Sequence, residues 1–386
     1  MNIYQLFIRN LTQEGTFEAA THDLVRISQM GFDYIYLMPF HPISKHNRKG
    51  TYGSPYAIAD YYEVSDDLGT KEDLKNFLKR AHELNLKVIM DIVFNHAGAD
   101  HVWTQSNPNY FLLDEKGQPT RKVADWSDIV DYNFDNLDLY NELKNVLLAW
   151  AEFGFDGFRC DVASLVPYSF WLEAISQVCG KYPHIEWYSE SIDHDFLKAL
   201  RLQGEIVLSD LDILRMFNGS YDYDIWKLQM EVMFDDSKMD QFVSILNYRY
   251  AQQMKDKVKW HFIENHDQIR LREKGMSNEH YKNWLAFILF QEGMGFVYQG
   301  METEQQPHRS FFEKQVINRN FDKDLVELIT KMNKLKKEIV NEGIIWQEIS
   351  YQDKVLVTEI TTKQAIHTLK CSFGSPVGVI HDKIER

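Results

Sequence analysis

The sequence predicts an α/β fold: a (β/α)8 TIM barrel with a short insertion after the third strand and a small C-terminal antiparallel β domain. Three observations predict it. Short, near-continuous apolar runs of β type recur along the chain, each followed by a helical pattern, as buried parallel strands require. Seven such runs are clear and an eighth lies around "FNGSYDYDIW", and eight parallel strands close a barrel. No G-x-G-x-x-G turn follows the first run, which argues against an open doubly wound sheet.

In chain order, the strands are expected in "NIYQLFIR", "DYIYLMPF", "LKVIMDIVFNH", "FDGFRCDVAS", "HIEWYSES", the run around "FNGSYDYDIW", "VKWHFIENHD" and "GFVYQG". Between them, Thr70 with Asp73 resembles a capping box that opens a helix carrying Leu74, Phe77, Leu78, Ala81 and Leu84 on one stripe. A second stripe of Leu143, Val146, Leu147, Trp150 and Phe153 ends at Gly154, the residue type that closes helices. The segment from Ala97 to about Asp138 is polar, Asn/Asp-rich and weakly periodic, and so long a loop in a compact domain is usually functional. After about Lys336 the pattern turns to "GIIWQEIS", "KVLVTEIT" and "QAIHTLKCSF", β-type segments separated by polar turns. The expected division is a barrel over 1–96 and 139–335, an insertion over 97–138 and a C-terminal β unit over 336–386.

Bulk composition narrows the partners. A chain of 386 residues with 44% hydrophobic and 26% charged residues is ordinary for a globular protein. Its net charge of −15, with no local Lys/Arg cluster to offset it, argues against nucleic acid or an anionic membrane surface as partner and suits a neutral substrate. The longest apolar run, "WLAFILF", falls far short of the roughly 18 to 20 residues that span a bilayer, and "MNIYQLFIRN" shows no signal-peptide pattern. Cys160, Cys179 and Cys371 fit no zinc or disulfide framework, so free thiols and a cytoplasmic location are expected. Aromatic residues make up 14% of the chain, mostly core by default, with enough left over for surfaces that stack on sugar-like ligands. Oligomeric state is not legible.

The polar residues inside the apolar runs fall at their C-terminal ends: Asp91, Asn95 and His96; Arg159 and Asp161; Glu190; His266 and Asp267. In a parallel barrel those ends converge on the face that carries active sites. Each residue alone reads more readily as a satisfied structural group. Together, several acids with one nearby arginine are costly as scaffold, because close like charges raise one another's pKa, and the cluster points to acid/base work. Two facing carboxyl groups are what glycosidic cleavage needs, one to protonate the leaving oxygen and one to attack or to activate water. Arg159, two residues before Asp161 and so on the same side of the strand, would hold that aspartate ionised. Asp156, at the strand's entrance, reads as structural.

"DIVFNH", "GFRCD", the Glu190 strand end and "FIENHD" occur in the order and spacing of the four sequence regions of the α-amylase family, glycoside hydrolase family thirteen, which the chain resembles from Asn2 to about Glu338. "YGSPYAIADYYEVSDDLGTKEDLKNFLKRAHELNLKVIMD" resembles that family's second-to-third-strand segment. The resemblance implies retaining, double-displacement chemistry on α-glucosidic bonds with no required cofactor. It implies Asp161 as nucleophile, Glu190 as general acid/base and Asp267 as the third carboxylate. Arg159 would orient the nucleophile, His96 and His266 would bond the sugar at the cleavage point, Asp91 would support them, and Tyr56 would stack beneath the ring. Arg270 follows "NHD" at the family's usual offset. Glu186 competes with Glu190 for the acid/base role, and Glu190 is favoured because it ends its strand.

The family's amylases often continue the second region with Lys-His; here Ser164 and Leu165 stand in those places. With Val162, this resembles the neopullulanase and oligo-1,6-glucosidase versions, and implies branch-linkage or short-oligosaccharide substrates. Asn95 and Asp131 match positions that bind calcium in many amylases, although both residues can equally tie the insertion to the barrel by hydrogen bonds. The expected activity is hydrolysis of α-1,4 and/or α-1,6 bonds in malto-oligosaccharides or α-glucans. Transglycosylation or glycoside phosphorolysis is the alternative, and a non-catalytic amylase-like module is disfavoured because all three acids are present.

Overall fold

Eight short strands close in sequence order into a parallel barrel: β1 (Asn2–Leu6), β2 (Tyr34–Leu37), β3 (Lys87–Ile92), β4 (Gly157–Cys160), β5 (Glu186–Ser189), β6 (Gly219–Tyr221), β7 (Val258–His261) and β8 (Met294–Tyr298), with β8 pairing back onto β1. This is the predicted fold. The computed structural model describes residues 1–123, 125–304, 310–374 and 378–386. β1, β2 and β8 are buried along their whole length, and this explains why the sequence runs there are continuous rather than alternating.

The helices between strands form as their patterns dictate. In Lys71–Glu83, Thr70 accepts the Asp73 amide while Asp73 accepts the Thr70 amide, and Leu74, Phe77, Leu78 and Ala81 are buried. Such a cap is worth about 1 kcal/mol. In Leu137–Phe153 the stripe of Leu143, Val146, Leu147 and Trp150 faces inward, and Gly154 ends the helix at φ 119°, a conformation that glycine adopts without a Cβ penalty.

The barrel interior is packed with rings. Trp260 lies 4.7 Å from Tyr188, 5.0 Å from Tyr221, 5.8 Å from Tyr36 and 5.9 Å from Phe296, centroid to centroid, and all five are buried. This aromatic plug gives the charged residues above it a floor of low dielectric. Gly157 sets the approach of the two strands that matter most for the site. A Cβ there would sit 2.6 Å from the Glu186 carbonyl, so a side chain at 157 would push β4 from β5.

Within the predicted insertion, residues His96–Gly98 pair antiparallel with Ile129–Asp131, and a short helix spans Val102–Ser106. The last long helix, Lys323–Glu342, runs through residue 336 before the C-terminal sheet begins. That sheet has four antiparallel strands, β9 (Ile344–Gln352), β10 (Val355–Thr362), β11 (Ala365–Ser372) and β12 (Gly378–Glu385), rather than the three legible in the sequence. β12 escapes sequence reading because it is an edge strand, largely exposed and without a clear apolar alternation. Among the described residues, no helix is long and apolar enough to cross a membrane.

Candidate active site

Register places the site. On β3 and β4, Asp91 and Arg159 are direct parallel partners, and Arg159 points to the same side as Asp161 two residues on. The Arg159 Nη1 donates to Asp91 Oδ1 at 2.8 Å and to Asp161 Oδ1 at 2.9 Å, while Nη2 lies 2.9 Å from Glu190 Oε2. One guanidinium thus serves three carboxyl groups from three consecutive strands. It is fully buried, with its carbon 5.6 to 5.9 Å from the ring centres of Tyr221, Tyr36 and Tyr56.

Three acids and one cation cannot all be ionised cheaply in such a place. Burial first, then the facing Glu190, push the Asp161 carboxyl well above the usual carboxylate range, against the pull of Arg159. Glu190 Oε2 takes both Arg159 and the Val162 amide, the latter at 2.9 Å. Among the described residues, no group is bonded to Oε1.

Asp267 approaches from the loop after β7. Its amide donates to Asn265 Oδ1, Asn265 in turn donates to the Tyr223 hydroxyl, and the Asp267 carboxylate lies 3.3 Å from His266 Nε2. Burial raises its pKa to about 6. His266 is held from both sides, its Nδ1 by Gln5 Nε2 at 2.7 Å and its Nε2 by the Tyr56 hydroxyl at 2.5 Å. Burial lowers His266 to about 3 and His96 to about 4, so both imidazoles are neutral near pH 7 and act as hydrogen-bonding groups rather than cations.

These side chains face one cleft of about 290 Å³, lined by Tyr56, His96, Asp161, Val162, Glu190, His266 and Asp267 among the residues singled out in the sequence. Arg159 and Asp91 lie beneath it; Asp91 accepts from the Tyr36 and Tyr56 hydroxyls at 2.5 and 3.0 Å. Arg270 is not brought to the cleft. It turns away to Glu264 at 2.9 Å and to the Gln299 carbonyl at 2.7 Å, stacked over Tyr298. Ser164 is buried and Leu165 half-buried behind Val162, in the turn Ala163–Leu165, and neither lines the cleft. Glu186 sits at the other end of β5, where Tyr34, Tyr188 and Lys87 all bind its carboxylate. Asp156 likewise accepts from His82 and the Val88 amide at the barrel's base, as a structural group does.

Sequence reasoning missed the other half of the lining. Lys49, Ser54, Trp126, Asp128, Ile129, Phe311 and Phe312 come from three segments outside the barrel strands, with Lys49 bridging to Asp128 at 3.0 Å. The one sequence signal was "WSD", a tryptophan beside an acid in an otherwise polar insertion. A second buried charge network also went unread: Lys259 binds Asp210 and Asp224, while Arg249 and His261 bind Asp222.

Asn95 and Asp131 do not gather a hard cation's donors. Asp131 spends Oδ2 on the Lys122 amide at 2.7 Å, and Asn95 Nδ2 faces His96 Nδ1 at 3.3 Å. Among the described residues the only group of three acids or imidazoles within ligand reach of one another is Glu338, Glu342 and His367, in and beside the C-terminal sheet. Calcium needs six or more oxygens, and the Asp131 carboxylate is instead spent within the insertion, on the Lys122 amide.

A family model described as the catalytic domain of alpha amylase matches residues 9–128 and 113–354. Among solved structures, an α-amylase from Lactobacillus plantarum superposes with a TM-score of 0.91 at 36% identity, over 96% of this chain and 87% of that one. A noncanonic maltogenic α-amylase from Thermotoga neapolitana gives 0.84 at 32% identity, over 96% and 85%. An α-1,4-glucan:maltose-1-phosphate maltosyltransferase from Corynebacterium glutamicum is 33% identical over 239 residues, 56% of this chain and 33% of that protein. The chain spans about a third to about half the length of the first curated relatives it matches.

Proposed function

This chain belongs to the α-amylase family, and from that premise we propose that it is a retaining glycoside hydrolase cleaving α-1,4 and/or α-1,6 glucosidic bonds in malto-oligosaccharides or α-glucans by double displacement. The observation that carries this reading is the single Arg159 guanidinium joined to Asp91, Asp161 and Glu190 at the floor of one cleft.

In the first step Glu190 gives its proton to the glycosidic oxygen. The C1–O bond breaks, and an Asp161 oxygen bonds to C1. Attack needs Asp161 as the carboxylate, and Arg159 offsets part of the burial that disfavours that charge, while the departing proton leaves Glu190 as the carboxylate that the Val162 amide and Arg159 already bind. In the second step Glu190 takes a proton from water, whose oxygen attacks C1 and frees Asp161. Asp267, His96, His266 and Tyr56 hold the sugar ring and its hydroxyls. Val162 touches the substrate directly, and Ser164 and Leu165 act on specificity from behind it. Three unpaired cysteines support a cytoplasmic setting.

Transglycosylation, in which a sugar hydroxyl replaces water in the second step, is the second reading. It is favoured by the maltosyltransferase relatives and by the apolar cleft walls Trp126, Ile129, Phe311 and Phe312. A phosphate acceptor is disfavoured, since Asp128, Asp161, Glu190 and Asp267 outnumber Lys49 along the lining. Incubation with maltotriose distinguishes water from sugar as acceptor, through free reducing sugar against longer oligosaccharide. NMR of the first-formed product tests the mechanism: the α-anomer is expected, and a β-anomer released first refutes double displacement.

A further inference from the structure

Val162, directly after the proposed nucleophile, has φ 34° and ψ 45°. Among the described residues it is the only β-branched residue with positive φ, a conformation that crowds its Cβ and persists only where the surroundings enforce it. The surroundings are residue 190. The Val162 amide donates to Glu190 Oε2 at 2.9 Å, and the next amide, Ala163, donates to the Glu190 carbonyl at 3.1 Å. Two successive amides facing one residue form the concave arrangement that a left-handed turn produces.

We propose that Val162 is a positioning residue for acid catalysis: its left-handed backbone clamps residue 190 through two successive amides and fixes Oε2, leaving Oε1 as the atom that delivers the proton to the leaving group. This rests on the reading of Glu190 as the acid/base. A valine selected only for contact with the sugar, which its place in the cleft lining also allows, would act through its side chain and not through its N–H.

Leaving-group dependence separates these roles, because a sugar leaving group needs a proton whereas fluoride needs little help. Two substrates, maltotriose and α-maltosyl fluoride, are assayed with three variants. The first replaces the Asp161–Val162 amide by an ester, which keeps the valine side chain and removes the N–H. The second is Val162→Gly, which keeps the N–H and adopts the turn without steric cost. The third is Glu190→Gln.

The ester is expected to lose about tenfold or more in kcat/KM on maltotriose and less than about threefold on the fluoride. Val162→Gly is expected to keep the wild-type ratio between the two substrates, and Glu190→Gln to show the largest selective loss. An ester variant with the wild-type ratio, or one that loses equally on both substrates, overturns the clamp. So does a glycine variant with the ester's pattern. If Glu190→Gln itself shows no leaving-group selectivity, the acid/base reading fails, and that failure is visible separately from the other two.

Discussion

Arg159 and Glu190 are joined Nη2 to Oε2 at 2.9 Å, across neighbouring strands, while the other guanidinium nitrogen is committed to Asp91 and Asp161. Arg159→Met leaves three carboxyl groups facing one another on an aromatic floor. Breaking a buried ion cluster from one side costs about 3–5 kcal/mol, so the variant is expected to unfold at clearly lower urea at pH 7. The loss should shrink toward pH 4, because burial and Glu190 hold the Asp161 carboxyl above the usual carboxylate range and its protonation relieves the repulsion. Arg159→Lys should recover little, since one ammonium cannot serve three carboxylates in plane. Urea melts at the two pH values check this.

Asp161→Asn is expected to behave oppositely for stability. Burial and Glu190 hold this carboxyl in a position where its ionised form is costly, so an amide should leave the melting temperature unchanged or higher. Turnover should fall on the order of 10⁴-fold. Calorimetry beside an α-glucoside assay tests both halves at once. Undiminished turnover would remove Asp161 from the mechanism, and a folded, inactive chain is the expected result.

Asp267 allows a prediction in which pH decides the sign. Its pKa in the folded chain is about 6, raised by burial from an ordinary value of 3.8. Below 3.8 the carboxyl is protonated whether folded or not, and the raised pKa favours folding fully there. That advantage is lost as pH rises from 3.8 through about 6. Asp267→Asn should therefore stabilise the chain at pH 7 relative to its effect at pH 3.5, by about 1 kcal/mol once the side chain's 36% exposure is discounted. Equal effects on unfolding free energy at both pH values would contradict the assignment.

The parts of this site that were legible in the sequence share a physical cause. A charged residue at the end of an apolar run cannot be paid for by solvent, so Asp91, Arg159, Asp161, Glu190 and His266 stand out against their own strands, and strand ends in a parallel barrel meet. The cleft's other wall had no such contrast. Lys49, Trp126, Asp128, Phe311 and Phe312 lie on loops without periodicity, and only tertiary packing brings them together. Arg270 was misleading for a related reason: its offset from "NHD" places it near the site along the chain, while its direction is set by Glu264, six residues upstream. The Lys259–Asp210–Asp224 network was invisible because its members are remote in sequence and each alone looks like a surface charge.

Lys336 tests the barrel's other end, away from the chemistry. It is 1% exposed, and its ammonium lies 3.4 Å from the Phe290 carbonyl, beside a cavity of about 390 Å³ that Glu186 and Glu292 also line. Burial lowers its pKa from 10.5 to about 7, with Glu292 offsetting part of the effect. Between those values the unfolded chain binds the extra proton, so this group's contribution to stability is present above pH 10.5 and lost as pH falls through about 7. The cost at pH 7 is about 3–5 kcal/mol. Lys336→Met keeps the aliphatic stem and removes the amine, and should raise unfolding free energy at pH 7 by about 2–4 kcal/mol after allowance for imperfect packing. The gain should shrink toward pH 10, because the folded lysine is then neutral and the unfolded one, near its ordinary value of 10.5, holds its proton only weakly. Urea unfolding of both chains at pH 7 and pH 10 measures it. A stabilisation independent of pH would assign the gain to packing, and a destabilised variant would mean that the ammonium is satisfied where it stands.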